Sequence, residues 1–415
     1  MKIFRGRDML TQETRCWSYF QKALYVSVFI LLIVSLYFLL FGPERLIPLN
    51  PRKVRGLFVI LLPFCLSYLL TPVMMCLGRR FSVMDNPDSR KVHVKPTPLL
   101  GGAAVYIAFG AGAVLTLWYS LELKGVVYAA TLIFMLGLLD DIRGLSSVFR
   151  LIVQVAAVFI LFSHGLKIDF IPDITPFNLI ERLLTIVWIL GITNAVNFLD
   201  GLDGLCAGFG GIAALIFGVI AFLTRQYFLM YLGFALAGSC FGFLPWNFRR
   251  KGSALIFLGD AGSLFVGFTL ASLAIMGEWA EDNTAALIVP VLILLLPIYD
   301  TTMTTFFRVK SGQVRTVRQW LDFVGKDHFH HRLTDIGMGK KKAVFGIYLI
   351  SILLGISAII VRTGHELEAL LAVAQAFVIL IIVTVFIVNA AKQLSSLEYC
   401  NRRLEKKNSD NTCDA

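Results

Sequence analysis

Long apolar stretches follow one another along the chain, interrupted by short polar segments. Uncharged stretches long enough for a hydrocarbon core about 30 Å thick predict helices over 21–42, 56–78, 99–119, 125–140, 148–165, 183–199, 204–224, 226–246, 261–277, 284–307, 343–361 and 367–391. The pattern predicts an all-α fold, a polytopic transmembrane helical bundle of eleven or twelve spans. Several predicted spans are short, as expected of helices packed around a cavity rather than facing lipid. Spans six to nine are separated by very short loops.

Composition strengthens this reading. A mean hydropathy of +0.76, with 57% hydrophobic and 16% charged residues in 415 positions, excludes a water-soluble globule, which would expose large apolar patches. Charge sets the orientation. With the N-terminus inside, 29 of the 38 Lys and Arg residues fall on the cytoplasmic side and 9 on the other. Both termini are then cytoplasmic, and the net charge of +11 is largely a topology signal, with attraction to anionic lipid or substrate added. The run Ala23 to Phe41 follows a charged leader, lacks a small-x-small cleavage site and is expected to stay as an anchor. Three parts result: 1–55, a leader with an extra helix and external loop; 56–391, the main membrane domain with cytoplasmic loops 79–98, 141–147, 247–260 and 308–342; and 392–415, a polar tail. Seven cysteines form no disulfide framework and no Cys-x-x-Cys metal site.

Three acidic signatures stand at span edges: Asp140-Asp141, the run Asn194 to Gly204, and Leu258-Gly259-Asp260-Ala261-Gly262-Ser263. Carboxylates there are costly enough to suggest a functional site, and the parity of the spans puts all three on one face. Adjacent residues on a helix diverge by about 100°, so one of Asp140 and Asp141 can face a metal or phosphate and the other a helix end or a basic neighbour. A solvated helix terminus is the plainer alternative. Arg150 opens the next span, where it could grip phosphate or anchor the helix. Asn194, Asn197, Asp200 and Asp203 recur every three residues, and Gly201 and Gly204 are expected to break the helix. Their oxygens suit a hard cation such as Mg²⁺ and a polar ligand; a polar re-entrant turn would read the same way. Asp260 could ligate a cation or cap the ninth span, and Phe257 could stack on a base or fill the core. The loop Lys326-Asp327-His328-Phe329-His330-His331-Arg332 could bind phosphate or sugar oxygens, bind a transition metal or stay solvated. Arg90 to Pro98, before Gly101-Gly102, is a second cationic turn.

Taken in order, Lys91-x-His93-x-Lys95-Pro96-x-Pro98-x-x-Gly101-Gly102, Asp140-Asp141, Asn194 to Gly204, Leu258-Gly259-Asp260 and His328-x-His330-His331 resemble the polyprenyl-phosphate N-acetylhexosamine-1-phosphate transferases, over roughly Leu57 to Val361. The His-Phe-His-His pattern is similar to the branch that acts with N-acetylglucosamine-1-phosphate and undecaprenyl phosphate. The first span and its loop, and the length of 308–326, depart from the usual plan. The resemblance implies a multi-pass enzyme of the bacterial inner membrane, using UDP-GlcNAc and undecaprenyl phosphate with Mg²⁺ or Mn²⁺. It implies no nucleic acid partner and leaves room for a homodimer. It makes Asp140, Asp141 and Asp260 catalytic and Asp260 with Asn197 the metal ligands. Asn194, Asp200, Asp203 and Phe257 fall to the nucleotide. Lys91, His93, Lys95, Arg150, His328, His330, His331 and Arg332 fall to phosphate and sugar. Twelve glycine-rich spans also fit a secondary transporter, but the acids lie at one face and no inverted repeat is evident.

Overall fold

The computed structural model describes residues 19–41, 51–87, 96–115, 120–168, 177–280, 283–316, 319, 323, 325, 327–363, 367–385 and 389. Helices dominate: α1 (Tyr19–Phe41), α2 (Pro51–Arg80), α3 (Gly101–Leu115), α4 (Leu121–Arg143), α5 (Ser147–Ser163), α6 (Phe177–Phe198), α7 (Leu205–Leu223), α8 (Tyr227–Asn247), α9 (Gly259–Met276), α10 (Asn283–Ile293), α11 (Leu295–Lys310), the short α12 (Phe329–Asp335), α13 (Lys340–Val361) and α14 (Leu367–Val385). A two-residue ladder, β1 (Met84–Asp85) with β2 (Thr97–Pro98), is antiparallel, pairing Met84 with Pro98 and Asp85 with Thr97.

Among the described residues, eight helices are long and apolar enough to cross a membrane. The pair α10 and α11 makes a ninth, and three shorter apolar helices complete a one-to-one match to the twelve predicted stretches. The expectation of an all-α polytopic membrane protein therefore holds. The 284–307 stretch, expected as one span, is instead bent by 73° at Leu294. Pro297 supplies the reason: its ring clashes with the carbonyl four residues back, and Ile293 is the last residue of α10.

On α13 both faces are apolar. Phe345, Leu349, Ile356 and Ile360 face outward, whereas Ala343, Ile347, Leu354 and Ala358 are buried. Apolar side chains on both faces are what a lipid solvent permits. α9 has no outward face, being buried from Ala261 to Ala274 among α3, α4, α6 and α7, as a helix hydrophobic all round must be. Small residues let backbones approach: added methyls at Gly238 and Gly242 of α8 would run into the Ile60 and Phe64 carbonyls of α2. α1 lies beside α2, where Phe38 stacks on Phe58 with ring centroids 4.6 Å apart. Four cysteines are described, Cys65, Cys76, Cys206 and Cys240, and all are free thiols.

Alternating helix direction brings the C-termini of α4, α6 and α8 to one end of the bundle with the N-termini of α5, α7, α9 and α13. The three acidic signatures meet there.

Candidate active site

The centre is the first turn of α9. Its leading amides have no partner four residues back, and Asp141 of α4 supplies one: Oδ1 accepts from Asp260 N at 2.9 Å and Oδ2 from Ala261 N at 3.0 Å. The approach is close because Gly137, one turn earlier on α4, has no side chain; a methyl there would meet the Asp260 carbonyl. Gly101 and Gly102 do the same for α3. A methyl on Gly101 would strike the Phe257 carbonyl, and one on Gly102 the Gly262 backbone. Their amides donate to Phe257 O at 3.0 Å and Leu258 O at 2.8 Å, and Phe257 N donates to Pro98 O at 2.9 Å. Gly259 itself has φ +72°, so the left-handed turn that opens α9 favours glycine.

Asp140 points elsewhere. Its Oδ1 accepts from Leu145 N at 2.6 Å, and its Oδ2 pairs with Arg150 Nη1 at 2.9 Å. Arg150 thus returns beside the aspartates, and the same nitrogen lies 3.8 Å from Asp260 Oδ2. Asp260 Oδ1 accepts from Asn197 Nδ2 at 2.7 Å, and Asn197 also donates to Ser263 Oγ at 2.8 Å. Asn197 therefore turns its donor, not its oxygen, toward Asp260 and fixes that carboxylate's direction. The side chain of Asp260 remains 37% exposed, open to a ligand.

The glycines Gly201 and Gly204 end α6 and start α7 as expected, with Gly204 at φ +82°. In the turn between them, Asp200 is pushed well above the ordinary carboxylate range. Burial is the main cause, followed by the charges of Asp260, Asp141 and Asp203, with the Gly259 amide opposing. Asp203 Oδ2 accepts from Ala254 N at 2.9 Å and ties this turn to the α8–α9 loop. Asn194 lies one turn below, its amide engaged with Gln154 of α5 at 2.8 and 3.2 Å and with Leu190 O at 2.8 Å. Phe257 is half-buried and held by its backbone.

Opposite lies the histidine segment. His328 Nδ1 sits 3.1 Å from Asp300 Oδ2, and Phe329 N donates to Asp300 Oδ1 at 2.6 Å, so a buried carboxylate of α11 sets both the imidazole and the start of α12. Arg332 donates from Nε to Asp327 O at 2.7 Å and lies over the Phe307 ring at 4.7 Å. Arg308 grips Asp327 with two bonds of 2.6 and 2.7 Å. Burial raises the Asp327 carboxyl, but this guanidinium outweighs it and brings it below the usual range. His330 is 1% exposed and makes no hydrogen bond from either ring nitrogen among the described residues, while Gly201 leaves room for its Nε2. Burial, with His331 beside it at 4.2 Å between centroids, holds it neutral, its pKa down to about 3.

Asp140, Asp141, Arg150, Asn197, Asp200 and Asp260 thus come together, and His330 reaches Gly201 of the same turn. Lys91, His93 and Lys95 lie outside the described residues. Sequence reasoning missed Gln154, Asn247, Asp300 and Arg308, and it included Ser263 and Asp327 in motifs without giving either its partner. Asn247 accepts from Gly204 N at 2.7 Å and donates to Ile256 O at 2.9 Å, clipping the two acidic loops together. A lone polar residue within an apolar span was the available signal for Gln154 and Asp300.

A helical membrane bundle with carboxylates, an arginine and a neutral histidine gathered at one end has the makings of a transferase acting on a phosphorylated substrate. Residues 123–278 match the family model of glycosyl transferase family 4. The chain is 33% identical over 325 residues to the probable undecaprenyl-phosphate N-acetylglucosaminyl 1-phosphate transferase of Bacillus subtilis, covering 76% of this chain and 87% of that one. It is 34% identical over 338 residues to the decaprenyl-phosphate N-acetylglucosaminephosphotransferase of Mycolicibacterium smegmatis, covering 73% and 80%. A phospho-N-acetylmuramoyl-pentapeptide-transferase of Listeria innocua is 29% identical over 344 residues, covering 74% and 99%. The chain belongs to glycosyl transferase family 4.

Proposed function

We propose that the protein transfers N-acetylglucosamine-1-phosphate from UDP-GlcNAc to undecaprenyl phosphate at the cytoplasmic face of the bacterial inner membrane, making the first lipid-linked intermediate of a cell-surface polysaccharide. An oxygen of the lipid phosphate attacks the phosphorus attached to the sugar. The bond from that phosphorus to the bridging oxygen of the diphosphate breaks, and UMP leaves carrying that oxygen. The observation that carries this reading is the convergence of Asp260, Asp200, Arg150 and an unpartnered neutral His330 at one end of a membrane bundle, in a chain whose relatives are named for this class of transfer.

The donor set fits Mg²⁺, with Mn²⁺ as a substitute. No group of three or more His, Cys, Asp or Glu forms a metal cage among the described residues. Mg²⁺ needs none, since it keeps several waters and takes one or two carboxylates beside the substrate phosphates. Asp260 Oδ2 is the available ligand, and the crowding that raises Asp200 is relieved by a cation. Asp260 would hold the ion, which would supply positive charge against the diphosphate and the departing UMP.

The protein's own groups do the rest. Arg150 lies within reach of the same anions, and Asp140 directs it. Asp141 holds the α9 amides and hence the position of Asp260. With both oxygens accepting amide hydrogens, Asp141 is better placed to orient than to take up a proton. None is required, because a phosphate monoester has a second pKa near 6 and the acceptor is already mostly dianionic at neutral pH. Positioning and charge neutralisation carry the reaction. The imidazole of His330, neutral and short of partners, is suited to hydrogen-bond a sugar or phosphate oxygen.

The test is UMP release by purified protein given undecaprenyl phosphate, Mg²⁺ and separate UDP-sugars, with omission of lipid or metal as controls. Lipid- and metal-dependent release with UDP-GlcNAc is expected. Release only with another UDP-N-acetylhexosamine or a muramyl-peptide donor would replace the sugar, and no release from folded protein with any donor would overturn the reading.

A further inference from the structure

A cavity of about 1100 Å³ lies at the other end of the bundle from the acidic cluster. It is bounded by the first half of α6, the α7–α8 turn, the end of α9, α10 and the last residues of α13. Its walls change character with depth. Toward the bilayer they carry Leu184, Val187, Leu287 and Val291, which are 38–68% exposed and therefore open the cavity sideways to lipid chains. At the helix ends, the level of the membrane interface, the lining turns polar with Arg225, Gln226, Arg362 and Thr363.

Neither arginine has a side-chain hydrogen bond or ion pair among the described residues. Arg362 is half-buried, yet its Nε is fully buried and without a hydrogen-bond partner, a costly arrangement unless a ligand supplies the acceptor. Arg225 has φ +62°, a left-handed conformation that glycine or asparagine would adopt with less strain. A cation is nevertheless presented there, exposed at the cavity rim. The turn carrying it is braced from across the cavity: Gln226 Oε1 accepts from Glu278 N at 3.0 Å, and Gln226 Nε2 donates to Glu278 O at 2.5 Å. Glu278 adds one exposed carboxylate to the rim against the two guanidinium groups. Cations at the interface above an apolar, laterally open cleft match a lipid in both charge and orientation, with phosphate at the helix ends and chains running inward.

We propose that this cavity is a binding site for an anionic glycerophospholipid, its phosphate held by Arg225 and Arg362 and its acyl chains lying against α6 and α10. The site is separate from the acidic cluster and does not depend on the reaction proposed for it.

The experiment uses the full chain in nanodiscs of phosphatidylcholine with increasing phosphatidylglycerol, followed by native mass spectrometry of retained lipid. The wild type should retain one phosphatidylglycerol more than Arg225→Gln/Arg362→Gln, and the variant should need about tenfold more phosphatidylglycerol for equal retention. Soluble glycerol 3-phosphate at millimolar concentration should not displace the lipid. Equal retention by wild type and variant, equal retention of phosphatidylcholine, or displacement by the soluble phosphate would each overturn the proposal. Should the double variant fail to fold, the exposed single variant Arg225→Gln decides, with several-fold weaker retention expected and unchanged retention counting against the site.

Discussion

The two walls of the candidate active site differ in how completely they are finished. On the acidic wall nearly every polar atom has its partner: Asp140 with Arg150 and Leu145 N, Asp141 with two α9 amides, and Asn197 with Asp260 and Ser263. On the histidine wall the support is finished but the tip is not. Asp300 and the Arg308–Asp327 fork hold the segment, while His330 keeps two buried nitrogens without partners. One wall is assembled before any ligand arrives, and the other is completed by one.

Substitutions that separate the walls should rank in a definite order. Asp260→Ala removes an acidic-wall carboxylate that is 37% exposed and should abolish turnover, a loss of at least about a thousandfold. UMP release measured free of wild-type contamination checks this, and near-normal turnover would take Asp260 out of the centre.

His330→Leu tests the unfinished wall. It should lower kcat/KM for the UDP-sugar by about a hundredfold. The melting temperature should hold or rise, since an unsatisfied buried polar group costs about 1–3 kcal/mol. Its pH dependence follows from the depressed pKa. The unfolded imidazole gains a proton below about 6.5, and the folded one only near 3. The stability tied to this histidine is therefore fully present above about pH 6.5 and is lost progressively toward 3. His330→Leu should flatten the decline in melting temperature between pH 7.5 and 5. An equally steep decline would show that His330 is not the group involved.

Asp141→Asn leaves one of the two α9 amides without its acceptor and should slow turnover at least about tenfold, on the order of 1.4 kcal/mol in the barrier. A loss confined to KM would instead mark it as a binding group. Asp300→Asn keeps the shape of the support but weakens its hold on His328. It should raise KM for the UDP-sugar about threefold with little change in kcat, and an equal fall in both kcat and kcat/KM would place Asp300 in the transition state.

The same contrast separates what the sequence made legible from what it did not. Spans declare themselves through twenty or so consecutive apolar residues, so all twelve were readable. The break at Leu294 was hidden because Leu292 to Leu296 is uniformly apolar, although Pro297 carried the warning. The acidic wall was legible because its residues cluster in sequence at the ends of α4, α6 and α9. The close-approach role of Gly101, Gly102 and Gly137 was not, because it lies between segments more than a hundred residues apart, as between Gly102 and Gly262. The histidine tip was visible, but Asp300, Arg308 and Asn247 were not. Each is a single polar residue whose purpose depends on a partner that only the fold brings near.

Four bare backbone positions, Gly101, Gly102, Gly137 and Gly259, surround the first turn of α9. Main chain there rests on main chain, on the Asp141 carboxylate or, at Gly101, also on the buried Phe243 ring. The arrangement works like a machined seat: the distance from α4 to the α9 amides that Asp141 holds is a dimension of the backbone itself. Repacking elsewhere in the bundle can drift without moving it, whereas one added methyl group at the seat would shift the whole acidic wall.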